Sequence, residues 1–309
     1  MGTETGTPTP QHGTASGVLD GALAWLTDHA PWFGTRWDEH FPPRDFAGAT
    51  VLELLMLCRL LRRGGPGTAH PGAARLERAA VAAALDVLPE AGDAPGPAGP
   101  AHRLWLLALL ADLGRPTGTV TALAERHPPA VPGPGTSPVH ALELRHVLGL
   151  AGLPAPPELP GTEPLYDACV AEHAGRTGEY DAYGVTHTVL YATDFGARPL
   201  PGDASRMARV LTGLLRAYLD EGHLDLAAEL LLCARIAGGA DPGLERRGWE
   251  ELAAAQRPDG SLPGPPFDAA VLAGRAGERA TAYVFRTCYH TTLVTAMAAA
   301  RAGAPAARP

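Results

Sequence analysis

The chain has 309 residues, 46% of them hydrophobic and 19% charged, with a formal net charge of -8. That is ample for a sizeable core. Basic residues cluster no further than pairs such as Arg62-Arg63 and Arg246-Arg247, so no nucleic-acid footprint is expected.

The polar start "MGTETGTPTPQHGTASG" lacks the basic and apolar stretches of a signal peptide, and no apolar run reaches the length of a membrane span. Cys58, Cys169, Cys233 and Cys288 are scattered without CxxC spacing, as reduced thiols are. The expectation is a cytoplasmic protein without membrane contact. Disordered tails are expected at 1–14 and 303–309, flanking one domain over 15–302. Abundant Pro, Gly, Ala and Arg with scarce Lys point to a GC-rich genome of actinobacterial type, an origin and not a function; specialised metabolism is an expectation from that origin alone.

Helical periodicity runs the length of the chain and strand-like alternation is almost absent, which predicts an all-α protein. In chain order, amphipathic segments at 15–30, 72–88, 119–127, 164–176, 203–222 and 243–256 each carry a polar face. They alternate with segments at 48–63, 101–114, 140–152, 186–196, 223–239 and 286–303 that are apolar nearly all round and belong in the interior. The polar residues His102, His140, His187 and Asp225 near the inner-segment starts are separated by 38, 47 and 38 residues, a helix-hairpin period. Asp225 and His290 stand 65 apart, which predicts a long inserted loop over 257–285. Six hairpins with such apolar inner helices predict a closed (α/α)6 toroid rather than an open solenoid.

His102, His140, His187, His223 and His290 all fall near expected inner-helix N-termini and would line one mouth of the toroid. Partial positive charge there keeps imidazole neutral, able to bind metal or act as a base. The ordinary alternative is that such residues satisfy free backbone groups. His187, Tyr191 and Asp194 share one helix face by their spacing, and an inward Asp194 requires a partner. "EGHLDLAAELL" adds His223, Asp225 and Glu229, and "TCYHTT" adds Cys288, Tyr289 and His290. Imidazole, carboxylate and thiolate are the ligand set of zinc, and three of them leave an open position for catalysis.

"CYHTTLVTAMAAA" resembles the last inner-helix motif of protein prenyltransferase β-subunits, which starts Tyr-His-Thr and whose histidine binds zinc. "AAAQRPDGSLPGPPF" is similar to the Gln-x-x-Asp-Gly turn of terpenoid-cyclase and prenyltransferase toroids, and zinc lanthionine cyclases share that architecture. The likeness covers mainly residues 223–302 and implies a zinc site at His290 with Asp225 or His223. The family's second ligand pair is Asp-x-Cys, whereas this chain has His223-x-Asp225. No Asp-rich cyclase motif, no Arg and Lys cluster for a diphosphate and only 6% aromatic residues accompany it. These absences argue against prenyl transfer itself.

The leading expectation is a zinc-dependent enzyme in which His290, Asp225 and one of His187 or His223 hold the metal. Asp194, Tyr191 or Tyr289 would relay protons during hydrolysis, lyase or cyclase chemistry, or group transfer, on a small-molecule or peptide-like substrate. One alternative is a metal-free glycan-active enzyme using Asp194, Asp225 and Glu229. The other is a non-catalytic toroid that binds a partner protein.

Overall fold

The computed structural model describes residues 10–41, 48–64, 70–88, 99–115, 120–133, 135–173 and 178–302. Among the described residues every regular element is helical, and no strand occurs. The amphipathic segments become α1 (Pro10–Asp28), α5 (Ala73–Val87), α7 (Val120–Arg126), α9 (Thr162–Glu172), α11 (Ala204–Asp220) and α13 (Pro242–Ala255). The apolar segments become α4 (Ala49–Arg63), α6 (Gly99–Asp112), α8 (Pro138–Leu150), α10 (Glu179–Ala192), α12 (Leu224–Ile236) and α15 (Glu278–Ala302). Short α2 (Ala30–Phe33), α3 (Arg36–His40) and α14 (Ala269–Ala273) complete the set. No described helix is long and apolar enough to cross a membrane.

Side-chain character decides which helices go inside. In α12 nearly every residue from Asp225 to Ile236 is buried, whereas α13 buries only Leu244, Gly248, Trp249 and Leu252 along one stripe. Starts are fixed by side-chain caps: Ser137, Asp203 and Asp241 each accept a backbone N–H in the first turn of α8, α11 and α13. Contacts run α4 to α6, α6 to α8, α8 to α10, α10 to α12, α12 to α15, and α15 back to α4. Helix α1 lies against α15, α13 and α5. One buried apolar cluster extends from Ala15 to Ala302.

The segment after α13 joins the two ends of the chain. Gln256 Nε2 donates to Val18 O and Gly260 O, both at 3.0 Å, and Leu262 N donates to Thr292 Oγ1 at 2.8 Å. Gly260, at φ +91, packs so closely that a Cβ there would lie 2.2 Å from Gly21 O. Only glycine fits both constraints.

Two boundaries differ from expectation. Helix α1 starts at Pro10, so a helix replaces the polar tail expected up to residue 14; residues 1–9 and 303–309 lie outside the described residues. The last inner helix starts at Glu278, and α14 occupies part of the loop expected over 257–285. Exposed Glu278, Arg279 and Arg286 give the first turns of α15 a wet face, so that stretch has the polarity of a loop while being helical. His290 therefore lies in the middle of its helix, and His187 likewise within α10, so neither owes its state to a helix N-terminus.

Candidate functional site

His223 is the N-cap of α12, its Nδ1 accepting the N–H of Leu226 at 3.3 Å. This capping places Asp225 in the first turn and Glu229 one turn further, on the same face. Helix α15 passes alongside and brings His290 and Thr291 to them. Asp225 is buried, and Oδ1 accepts from His290 Nδ1 at 2.9 Å and from Thr291 Oγ1 at 2.7 Å. Its Oδ2 accepts from Tyr183 OH at 2.6 Å. Three of the roughly four lone-pair positions of the carboxylate are thus engaged. Glu229 accepts from Thr186 Oγ1 at 2.5 Å through Oε2 and turns Oε1 to within 3.9 Å of His290 Nε2.

The charges in this cluster are interdependent. Burial works against ionised Asp225, but hydrogen bonds from His290, Tyr183 and Thr291 and the His290 charge outweigh it and hold the carboxyl at about 2. Burial also works against charged His290, yet Glu53, Asp225 and Glu229 together raise it to about 10. For Glu229 burial wins, pushing the carboxyl to about 7 against the pull of His290 and Thr186. Burial likewise raises Glu53.

The donor atoms of Asp225, Glu229 and His290 lie within 4.8 Å of one another, so these three residues can hold a metal ion. The set also fits chemically: it supplies two carboxylates and one imidazole, with Thr186, Thr291 and Tyr183 fixing the carboxylates from behind. Glu229 and His290 face a cavity of about 200 Å³ lined by residues of α4, α6, α8, α10, α12 and α15. The side chain of His290 keeps 33% of its surface accessible there.

The expected site residues divide accordingly. His290 and Asp225 come together, but the third donor is Glu229 in place of His187 or His223. His187 lines the cavity outside the donor group, made harder to protonate by burial. His223 is occupied as a helix cap. Tyr191 lines the cavity, burial raising its phenol well above the ordinary range. Tyr289 instead belongs to an aromatic cluster, stacked on Phe285 at 5.4 Å and edge-on to Phe33 and Trp37. Cys288 is fully buried beside Thr287, outside the donor group, its thiol made harder to ionise by burial.

Asp194 does not take part in this cluster. Helix α10 ends at Ala192, and Asp194 and Phe195 adopt left-handed backbone at φ 51 and φ 55, followed by Gly196 at φ 80. The turn hands Asp194 to α4: Arg59 donates to both its oxygens, at 2.5 and 3.0 Å, and Arg63 adds a third bond at 2.8 Å. The partners that an inward Asp194 requires are these two arginines. Arg59, Arg63 and Arg301 surround a second cavity of about 370 Å³, so the fold gathers cations that are dispersed in the sequence.

Glu53 and Glu143, both facing the first cavity, were missed by sequence reasoning. Each is a lone glutamate between leucines in an apolar helix, at Leu52-Glu53-Leu54 and Leu142-Glu143-Leu144. The burial argument that singled out Asp194 applies equally to them.

The described residues thus define an all-helical protein with a carboxylate and histidine cluster bordering a cavity. Residues 19–300 match the family model described as Domain of unknown function (DUF6895), and the chain belongs to that family. No curated protein matches it.

Proposed function

We propose that the protein is an (α/α)6 toroid enzyme whose active site is the internal chamber, with Asp225, Glu229 and His290 holding a divalent cation, zinc in the first instance. The cyclic order of inner-helix contacts supports the toroid. One observation carries the metal reading: two buried carboxylates and an imidazole converge within ligand distance, with Glu229 and His290 lining a cavity. The likeness of "CYHTT" to the prenyltransferase zinc motif points to the same histidine. A bound cation would supply Lewis acidity toward a carbonyl or water of a small-molecule substrate. Asp225 orients His290, Thr186 holds Glu229 in place, and Tyr191 borders the space left for the substrate.

A second reading, metal-free acid–base catalysis, draws on the separation of two neighbouring carboxyls to about 2 and about 7. Metal analysis of protein purified without chelator decides between them. The metal reading expects about one equivalent in the wild type and a loss in Glu229→Gln and His290→Gln. Less than about a tenth of an equivalent, with no uptake on adding zinc or manganese, overturns it in favour of acid–base catalysis.

A further inference from the structure

Each of the six inner helices contributes one glutamate or histidine to the chamber: Glu53 from α4, His102 from α6, Glu143 from α8, His187 from α10, Glu229 from α12 and His290 from α15. Taken in the order in which these helices touch, glutamate and histidine alternate around the cavity. The remaining wall is apolar, including Met56, Trp105, Leu232 and Met297, and no Lys or Arg lines it among the described residues.

This arrangement carries more negative than positive charge. A divalent ion on Asp225, Glu229 and His290 would answer the carboxylates of that group and leave Glu53 and Glu143 facing the same space. Glu53 Oε2 is buried and accepts no hydrogen bond from the described residues. A buried carboxylate without a donor is costly, and a ligand bringing a cationic donor removes that cost.

We propose that the chamber binds a small organic cation, an aliphatic amine or diamine. Its ammonium groups donate to Glu53 and Glu143 and its hydrocarbon lies against Trp105, Met56 and Met297. The inference deepens the enzymatic reading by naming the substrate class, and it rests on that reading for the assignment of Glu229 and His290 to the metal.

The test is calorimetric titration of the full chain, zinc-loaded and chelator-treated, with 1,3-diaminopropane, 1,4-diaminobutane and 1,5-diaminopentane. The diols and dicarboxylates of matching length serve as neutral and anionic counterparts. Saturable binding of at least one diamine is expected, about tenfold or more tighter than its diol, with no binding of the dicarboxylates. Glu53→Gln and Glu143→Gln should each weaken that binding about tenfold while zinc content and the helical circular-dichroism signal stay unchanged. Absence of diamine binding, equal binding of diol or dicarboxylate, or full binding by both folded variants overturns the proposal. So does a second equivalent of zinc that disappears in Glu143→Gln. Zinc bound without diamine binding sinks the substrate class alone, whereas diamine binding without zinc sinks the metal reading alone.

Discussion

His290 Nδ1 donates to Asp225 Oδ1 at 2.9 Å, and the opposite ring nitrogen, Nε2, is turned toward Glu229 and the cavity. The carboxylate fixes both the tautomer and the orientation of the imidazole, as is usual where a histidine serves as a ligand or base. Asp225→Asn keeps the shape and removes the charge. Zinc affinity is expected to fall about 10–100-fold with the fold intact. The His290 ring should titrate well below the wild-type value of about 10, because its Asp225 charge and hydrogen bond are gone. Zinc titration and the NMR titration of the ring check both; unchanged affinity with unchanged titration would remove Asp225 from its positioning role.

Protons and metal compete for the same atoms. His290, raised to about 10, and Glu229, raised to about 7, both hold protons at slightly acid pH. Metal entry must expel them, so apparent affinity rises with pH. The expected slope is about tenfold per pH unit for each proton displaced: one proton between about 7 and 10, approaching two below 7. Titrations in buffers of different ionisation enthalpy count the protons. A flat affinity between pH 6 and 9 would contradict ligation through His290 and Glu229.

The Arg59–Asp194 pair lies outside the Asp225, Glu229 and His290 group. Arg59 is nearly fully buried and also bonds Asp112 at 3.0 Å, while Asp194 sits in a left-handed turn. Arg59→Met should leave the buried carboxylate with Arg63 alone and cost up to about 3–5 kcal/mol. Half-exposed Arg63→Met should cost far less. Urea unfolding midpoints give the comparison, and equal losses for the two variants would show that burial does not set the energy of this cluster.

How far the sequence could be read follows from where polar groups interrupt apolar helices. Periodicity located the inner and outer helices because burial of α12 and the single stripe of α13 leave direct marks on residue pattern. His290 and Asp225 were legible because they are rare residues in apolar surroundings. Glu53 and Glu143 carried the same mark and were passed over. Asp194 was misplaced because its location depends on a turn after Ala192, and the helix period cannot show where a helix stops. Arg59 and Arg63 looked like ordinary surface cations at a helix end, since the partner that draws Arg59 inside is 135 residues away.

Gly260 tests the closure of the chain ends. Gly260→Ala meets both an unfavourable φ and the backbone of Gly21, whereas a Cβ added at Gly114, at φ +79, would meet nothing within 4 Å. Gly114→Ala should cost about 1–2 kcal/mol from backbone strain alone. Gly260→Ala should cost clearly more, because neither backbone can move without breaking the Gln256 bonds to Val18 and Gly260. Thermal unfolding of the two variants side by side is the measurement, and equal shifts would mean that the contact with Gly21 yields without strain.

His146 makes the fold acid-sensitive. Burial lowers its titration to about 4 despite Asp194 3.7 Å away, so the folded protein keeps the ring neutral where the unfolded chain protonates it near the ordinary 6.5. The unfolded state therefore binds more protons between about 6.5 and 4, and stability falls as pH drops through that window. The loss from this residue approaches about 3 kcal/mol at the acid end. Below the ordinary carboxylate range, Asp194 adds to it in the same direction, since its folded carboxyl is also held low: burial opposes that shift but Arg59 and Arg63 overcome it. In His146→Gln the contribution between 6.5 and 4 should vanish, leaving a pH slope shallower by about one proton. Urea midpoints at pH 7.5, 6, 5 and 4 for wild type and variant isolate this difference from the other histidines, which are common to both. Parallel curves would show that His146 takes up its proton alike in the folded and the unfolded chain, so that burial does not hold the ring neutral.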